Sequence, residues 1–112
     1  DCLEACMECQ EICNACADAC VGEENVSTLS RCIRLNNDCA DICEMAGRIL
    51  SRQNSTDWDL VESVLSSVIL ASNLCADECE KHEGHHEHCR ICAEVCRNCA
   101  EVCHGMIEKI VF

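Results

Sequence analysis

The chain has 112 residues, a formal net charge of −13 and no proline, a length that suits one domain. Its acidity argues against nucleic acid and anionic membrane surfaces as partners, since both require Lys/Arg patches, and favours cations or a basic partner. Charged residues are 26% of the chain and evenly spread, and no uncharged apolar run reaches about 18 residues, so neither disorder nor a membrane span is expected.

Cysteine dominates what remains. There are 16, against one Phe, one Trp and no Tyr, so no ordinary aromatic core is available. In the opening stretch DCLEACMECQEICNACADAC they fall at Cys2, Cys6, Cys9, Cys13, Cys16 and Cys20, in alternating steps of four and three. That is the seam of a helix, with thiols where leucine is usual. Glu4, Glu8, Glu11, Asn14 and Asp18 hold its outer face. The pattern predicts a helix over residues 1–21 ended by Gly22. A second helix, capped by Asn25 or Ser27, runs to Ser51 with the seam Cys32, Asn36, Cys39, Cys43, Ala46 and Leu50. SRQNST then breaks the pattern. Thr56 with Asp59 reads as a capping box for a third helix, ending near His82. Its seam is Trp58, Val61, Leu65, Val68, Ser72, Cys75, Cys79 and His82. Gly84 makes a turn, and a fourth helix from His85 or His86 carries Cys89, Cys92, Cys96, Cys99, Cys103, Met106 and Ile110.

Four long helices with short loops predict an all-α, antiparallel up-down-up-down bundle with a cysteine-lined interior, one domain over residues 1–112. At about 1.5 Å per residue it should be about 30–40 Å long. This topology gathers Cys75, Cys79, the end of the first helix and the segment KHEGHHEH at one end, the mouth. The second and third helices meet through Leu50, Trp58, Val61 and Leu65 instead.

Seven cysteine pairs are spaced four apart: 2/6, 9/13, 16/20, 39/43, 75/79, 92/96 and 99/103. Plain core filling does not explain an unbroken thiol seam, because leucine buries more apolar area. A disulfide framework is poorly matched to one helical turn. Cβ atoms four residues apart lie about 5–6 Å from one another, and a disulfide needs about 3.5–4.5 Å. A thiol redox protein and a metallothionein-like zinc store remain as alternatives. Cu(I) fits best, since soft thiolates select soft ions. A two-coordinate ion with bonds of about 2.3 Å spans about 4.6 Å, within reach of such a pair. One monovalent ion per thiolate would also neutralise an otherwise prohibitive buried charge, which sets about 16 ions as an upper bound.

The segments CIRLNNDCADIC, CADECEKH and EHCRICAEVCRNCAEVC, with the opening ladder, resemble the bacterial copper storage proteins over essentially the whole chain. HEHCRIC and CIRL look like the cytosolic branch. The resemblance implies a four-helix bundle that holds many Cu(I) ions per subunit and assembles as a homotetramer; no Ser/His/Asp or paired-carboxylate constellation stands out in the sequence, so an enzyme is not expected. It implies a cytoplasmic location, although a chain beginning at Asp1 leaves an upstream export signal open. All sixteen cysteines are candidate ligands. The chain departs from the family pattern at Val68 and Ser72, where members often carry further thiols, so a lower capacity is expected than in the richest members.

His82 continues the third seam, and His86 lies three residues before Cys89, so both are expected as ligands or entry groups. His85 and His88, the latter four residues before Cys92, are weaker candidates. His104 is expected at the surface, and Met45 and Met106 as packing residues. Asn36 is an inward polar residue placed to donate to a thiolate or to hold a water. Leu60, Val64, Ile69, Leu70 and Leu74 lie off the third seam and suggest a subunit interface.

Overall fold

The computed structural model describes residues 1–111. Four helices, α1 (Cys2–Val21), α2 (Ser30–Ser51), α3 (Trp58–Glu80) and α4 (Glu87–Val111), run in antiparallel succession. Each packs on its neighbour in the chain, and α4 closes the bundle against α1. The four-helix bundle expected from the seam pattern is therefore what forms. Its long axis is 49 Å, more than expected from helix length alone, because the connecting turns add to both ends.

The ends of the helices differ from the sequence reading in instructive ways. At α1 the Asp1 carboxylate accepts the backbone N–H of Glu4 at 3.0 Å, satisfying a donor that the helix leaves orphaned. Gly22 closes α1 as expected, but in the right-handed region with φ −82°, so its freedom to adopt positive φ is not used. Neither Asn25 nor Ser27 caps α2 directly. A 3-10 turn over Val26–Leu29 intervenes, and α2 begins at Ser30. Asn25 instead braces that turn, its Nδ2 donating to Thr28 Oγ1 at 3.1 Å. The cap of α3 is Asp57, whose carboxylate accepts from Leu60 N at 3.2 Å, and not Thr56, whose hydroxyl donates back to Gln53 O. A carboxylate is the better acceptor beside the positive helix end. α3 stops at Glu80, before His82, and α4 starts at Glu87, after His85 and His86.

The seams converge on one core. Every cysteine is buried, and Leu29, Val61, Val64, Leu65 and Val68 extend the same cluster. Trp58 breaks its predicted seam. It begins α3 at the end of the bundle and is 51% exposed. Met106 and Leu50 lie beside it, lining a groove with Ile49 and Val61. α3 is long and apolar enough to cross a membrane by length and composition. In the bundle its apolar residues divide between the core and a face bearing Leu60, Leu70 and Leu74, which are exposed. Val64 belongs to the core instead and Ile69 is half-buried, so the outward face is narrower than the sequence suggested.

Candidate metal centre

Because each helix turns one thiol seam inward, the sulfurs of different helices meet along the bundle axis. All sixteen are free thiols. At the far end Cys2 Sγ donates to Cys103 Sγ at 3.5 Å, and Cys6 Sγ lies 3.9 Å from the same sulfur. Further in, Cys9 Sγ is 3.8 Å from both Cys39 and Cys96, and Cys13 Sγ is 3.6 Å from Cys96 and 3.9 Å from Cys92. Towards the mouth Cys32 and Cys79 approach to 3.6 Å. Pairs four apart also meet, Cys9 with Cys13 at 3.9 Å and Cys92 with Cys96 at 4.0 Å. The separate one-turn clamps expected from the sequence are thus replaced by a network in which cross-helix approaches prevail. Cys9, Cys13, Cys39 and Cys96 have sulfurs all within 4.8 Å of one another, as do Cys13, Cys75, Cys92 and Cys96. Cys6, Cys99 and Cys103 form another such group, as do Cys9, Cys43 and Cys99. With bonds of about 2.3 Å, sulfurs stand about 4.6 Å apart around a linear ion and about 4.0 Å apart around a trigonal one. The spacings lie within small adjustments of both.

Asn36 is the polar hinge of this interior, fully buried. Its Nδ2 donates to Cys32 O at 2.9 Å and to Cys32 Sγ at 3.4 Å, as the sequence reading allowed. Its Oδ1 accepts from Cys92 Sγ at 2.9 Å and from Cys75 Sγ at 3.1 Å. Ser72, also fully buried, stands in a position where another thiol would fit, 3.7 Å from Cys39 Sγ and 4.0 Å from Cys9 Sγ.

The thiols are electrostatically coupled. Burial pushes Cys20 up to about 11 and, with the charge of Cys32 beside it, raises Cys89 as well. Cys32 is held down to about 3 by hydrogen bonds from Cys16 and Cys79. One thiolate among proton-donating thiols is favoured, and a second nearby is opposed. Thiols packed this closely cannot all ionise unless cations balance their charge.

At the mouth the histidines sort differently from the sequence reading. His82 Nε2 meets Glu78 Oε2 at 3.0 Å. Glu78 is itself buried; burial opposes its charge, but hydrogen bonds from His82 and Lys81 outweigh this and hold its carboxyl below the ordinary value. His86 Nδ1 lies 3.4 Å from Glu23 Oε2, and its Nε2 is buried without a partner. The ring that reaches the sulfurs is that of His88. Its Nδ1 is 3.5 Å from Cys16 Sγ, 3.6 Å from Cys89 Sγ and 4.0 Å from Cys20 Sγ. The signal was its spacing of four from Cys92. It is outranked in sequence by His86 only if α4 begins early enough to carry His86 on the seam. His85 is exposed, and His104 pairs at the surface with Glu108 at 2.9 Å, as expected.

A helical bundle whose lumen is a continuous lattice of buried thiols is a multi-ion metal-storage architecture. The chain belongs to the copper storage protein family, whose model matches residues 1–108. It is similar to the copper storage protein Ccsp from Streptomyces lividans loaded with 10 copper equivalents: 43% identity, TM-score 0.94, covering 96% of this chain and 81% of that one. It is also similar to the Cu(I)-bound copper storage protein BsCsp3, with 36% identity, TM-score 0.84 and coverage of 95% of this chain and 94% of the other. A Bacillus subtilis cysteine-rich protein, YhjQ, is 38% identical over 93 residues, 83% of this chain and 81% of its own length.

Proposed function

We propose that this chain stores Cu(I), many ions per subunit, on the thiolates of its sixteen cysteines. The observation that carries the reading is the sulfur lattice itself, with approaches of 3.5 to 4.0 Å running from Cys2 and Cys103 at one end to Cys32 and Cys79 near the other. Neither the zinc-store nor the redox alternative fits it as well. A four-thiolate divalent site leaves −2 buried, and storage on a shared lattice requires a monovalent ion for each thiolate. Soft sulfur selects Cu(I) for the same sites. Val68 and Ser72 remove possible ligands from α3, so capacity sits at or below one Cu(I) per thiol.

The entrance is the histidine-bearing end. His82 and His86, held by Glu78 and Glu23, line it and take part in entry, while the cysteines hold the cargo. The location is the cytosol, as stated for a Streptomyces lividans relative that is 43% identical. Copies associate through the exposed face of α3, in keeping with the tetramers implied by the family resemblance, and the whole chain works as one storage domain without catalysing a reaction. Anaerobic titration of fully reduced protein tests the core claim. Storage predicts nearly all thiols free beforehand and between about ten and 16 Cu(I) bound per chain. Saturation at one or two ions, or thiols already paired, overturns it.

A further inference from the structure

We propose that the groove around Trp58, at the end of the bundle opposite the histidines, binds a small amphiphile with an apolar chain and a carboxylate head, of the medium-chain fatty-acid kind. The site lies outside the thiol lumen, and it goes beyond the storage reading without depending on it. Two hollows of about 370 and 410 Å³ meet there and share Trp58 and Met106. Sizes of this order suit small ligands. Ile49, Leu50 and Val61 line the first and Ile110 the second, so the floor is apolar. The indole of Trp58 stands half exposed over it, a large ring with one polar edge.

Charge selects the head group. The chain carries eight Lys and Arg against 21 Asp and Glu. Arg31, Arg34, Arg48, Lys81, Arg90 and Arg97 each pair with a carboxylate. Among the described residues the remaining two, Arg52 and Lys109, have no such partner, and both line this groove. No acidic side chain lines either hollow. Asp57 and Asp59 flank Trp58 in sequence, but the Asp57 carboxylate is taken by the Leu60 N–H at the start of α3. A surface this acidic repels an anion in general. An apolar groove edged by unpaired cations is where an anionic amphiphile gains contact and charge together.

The rim is built before a ligand arrives. Arg52 closes α2, and its backbone N–H donates to Ile49 O. The loop that follows holds Ser55 at φ 60°, a left-handed conformation disfavoured for a residue with a Cβ. Thr56 Oγ1 donates to Gln53 O at 3.2 Å and braces that turn beside the groove. A rim already in place spares part of the ordering cost of binding.

Trp58 is the one tryptophan in the chain, so its fluorescence reads the groove without a label. Octanoate titrated below its micelle concentration into the reduced whole protein should give a saturable blue shift as the indole loses water. Half-saturation is expected at millimolar concentration or below. Arg52→Gln and Lys109→Gln should each weaken octanoate about fivefold and leave 1-octanol unchanged. Val21→Ser, at an exposed apolar position near the other end, should change nothing. Helicity of each variant guards against misfolding. An unshifted spectrum overturns the site, as does a shift that persists at full affinity when Arg52 and Lys109 are both replaced. A shift produced by phosphatidylcholine vesicles and not by octanoate would assign the groove to a lipid surface. A shift that follows protein concentration without ligand would assign it to a second copy, and either result overturns the proposal. Cu(I) capacity measured on the same variants judges storage separately.

Discussion

Asn36 shows how much one side chain can organise in a core made of thiols. Cys75 and Cys92 both donate to its Oδ1, and its Nδ2 donates to the carbonyl of Cys32. Leucine there would fill the volume and leave those thiols without an acceptor. Thiols are weak donors, but the amide and the lost volume are substantial. Asn36→Ala should destabilise the reduced, metal-free protein by about 2–4 kcal/mol, read as a lower midpoint in urea unfolding followed by helicity. Position 36 was legible in sequence because it holds the seam phase of Cys32, Cys39 and Cys43. Its partners were not, because Cys75 and Cys92 come from α3 and α4.

At the scale of elements, the starts of the helices decide which side chains reach the lumen. The spacing of three between Thr56 and Asp59 suggested a capping box, but Asp57 takes the cap one residue later. Asp57→Ala should cost about 0.5–2 kcal/mol, while Thr56→Ala should cost little, a contrast that thermal melts of the two variants can measure. A late start has the same consequence at α4. Beginning at Glu87, the helix places His88 against the sulfurs and leaves His86 in the preceding turn, where its carbonyl accepts from Cys89 and Arg90. Across the α3–α4 seam Arg97 gathers Asn73, Asp77 and Glu80, a surface clamp whose contribution is modest because it is partly solvated. The seam itself was plain in the sequence, since a period of 3.5 is a local property of one segment. Helix ends were less plain, because several capping residues compete within a few positions and packing decides among them.

For the molecule as a whole, uptake is tied to protons. Burial raises Cys20 to about 11 and raises Cys89, so both thiols carry protons at neutral pH. Metal binds the thiolate, so each site that fills at these positions releases protons, and lowering the pH weakens binding. Apparent Cu(I) affinity should fall by about tenfold per pH unit for every proton released, which competition with a Cu(I) chelator at several pH values measures. The outer surface makes its own prediction. Leu70 is 62% exposed on α3, next to Leu74 and beside Leu35 and Ile42 of α2. An apolar strip of this kind is what the proposed association of copies would cover. Leu70→Lys should shift the mass in solution towards the monomer without loss of helicity, as light scattering would read.

The sequence by itself determined that the chain makes four helices, that thiols occupy their inner seams and that copper storage is the family they resemble. Those features rest on periodicity and residue chemistry, which are written along one segment at a time. Only the tertiary structure decided which sulfur meets which. Helix rotation and axial offset set whether Cys13 finds Cys92 or Cys96 at 3.6–3.9 Å, and no single segment contains that information. It also moved Trp58 out of the core to the end of the bundle and chose His88 over His82 and His86 as the imidazole facing the thiols. Both outcomes follow from where a helix starts relative to its neighbours. A shift of one residue turns a side chain by about 100° on a helix of 3.6 residues per turn, enough to exchange lumen for surface.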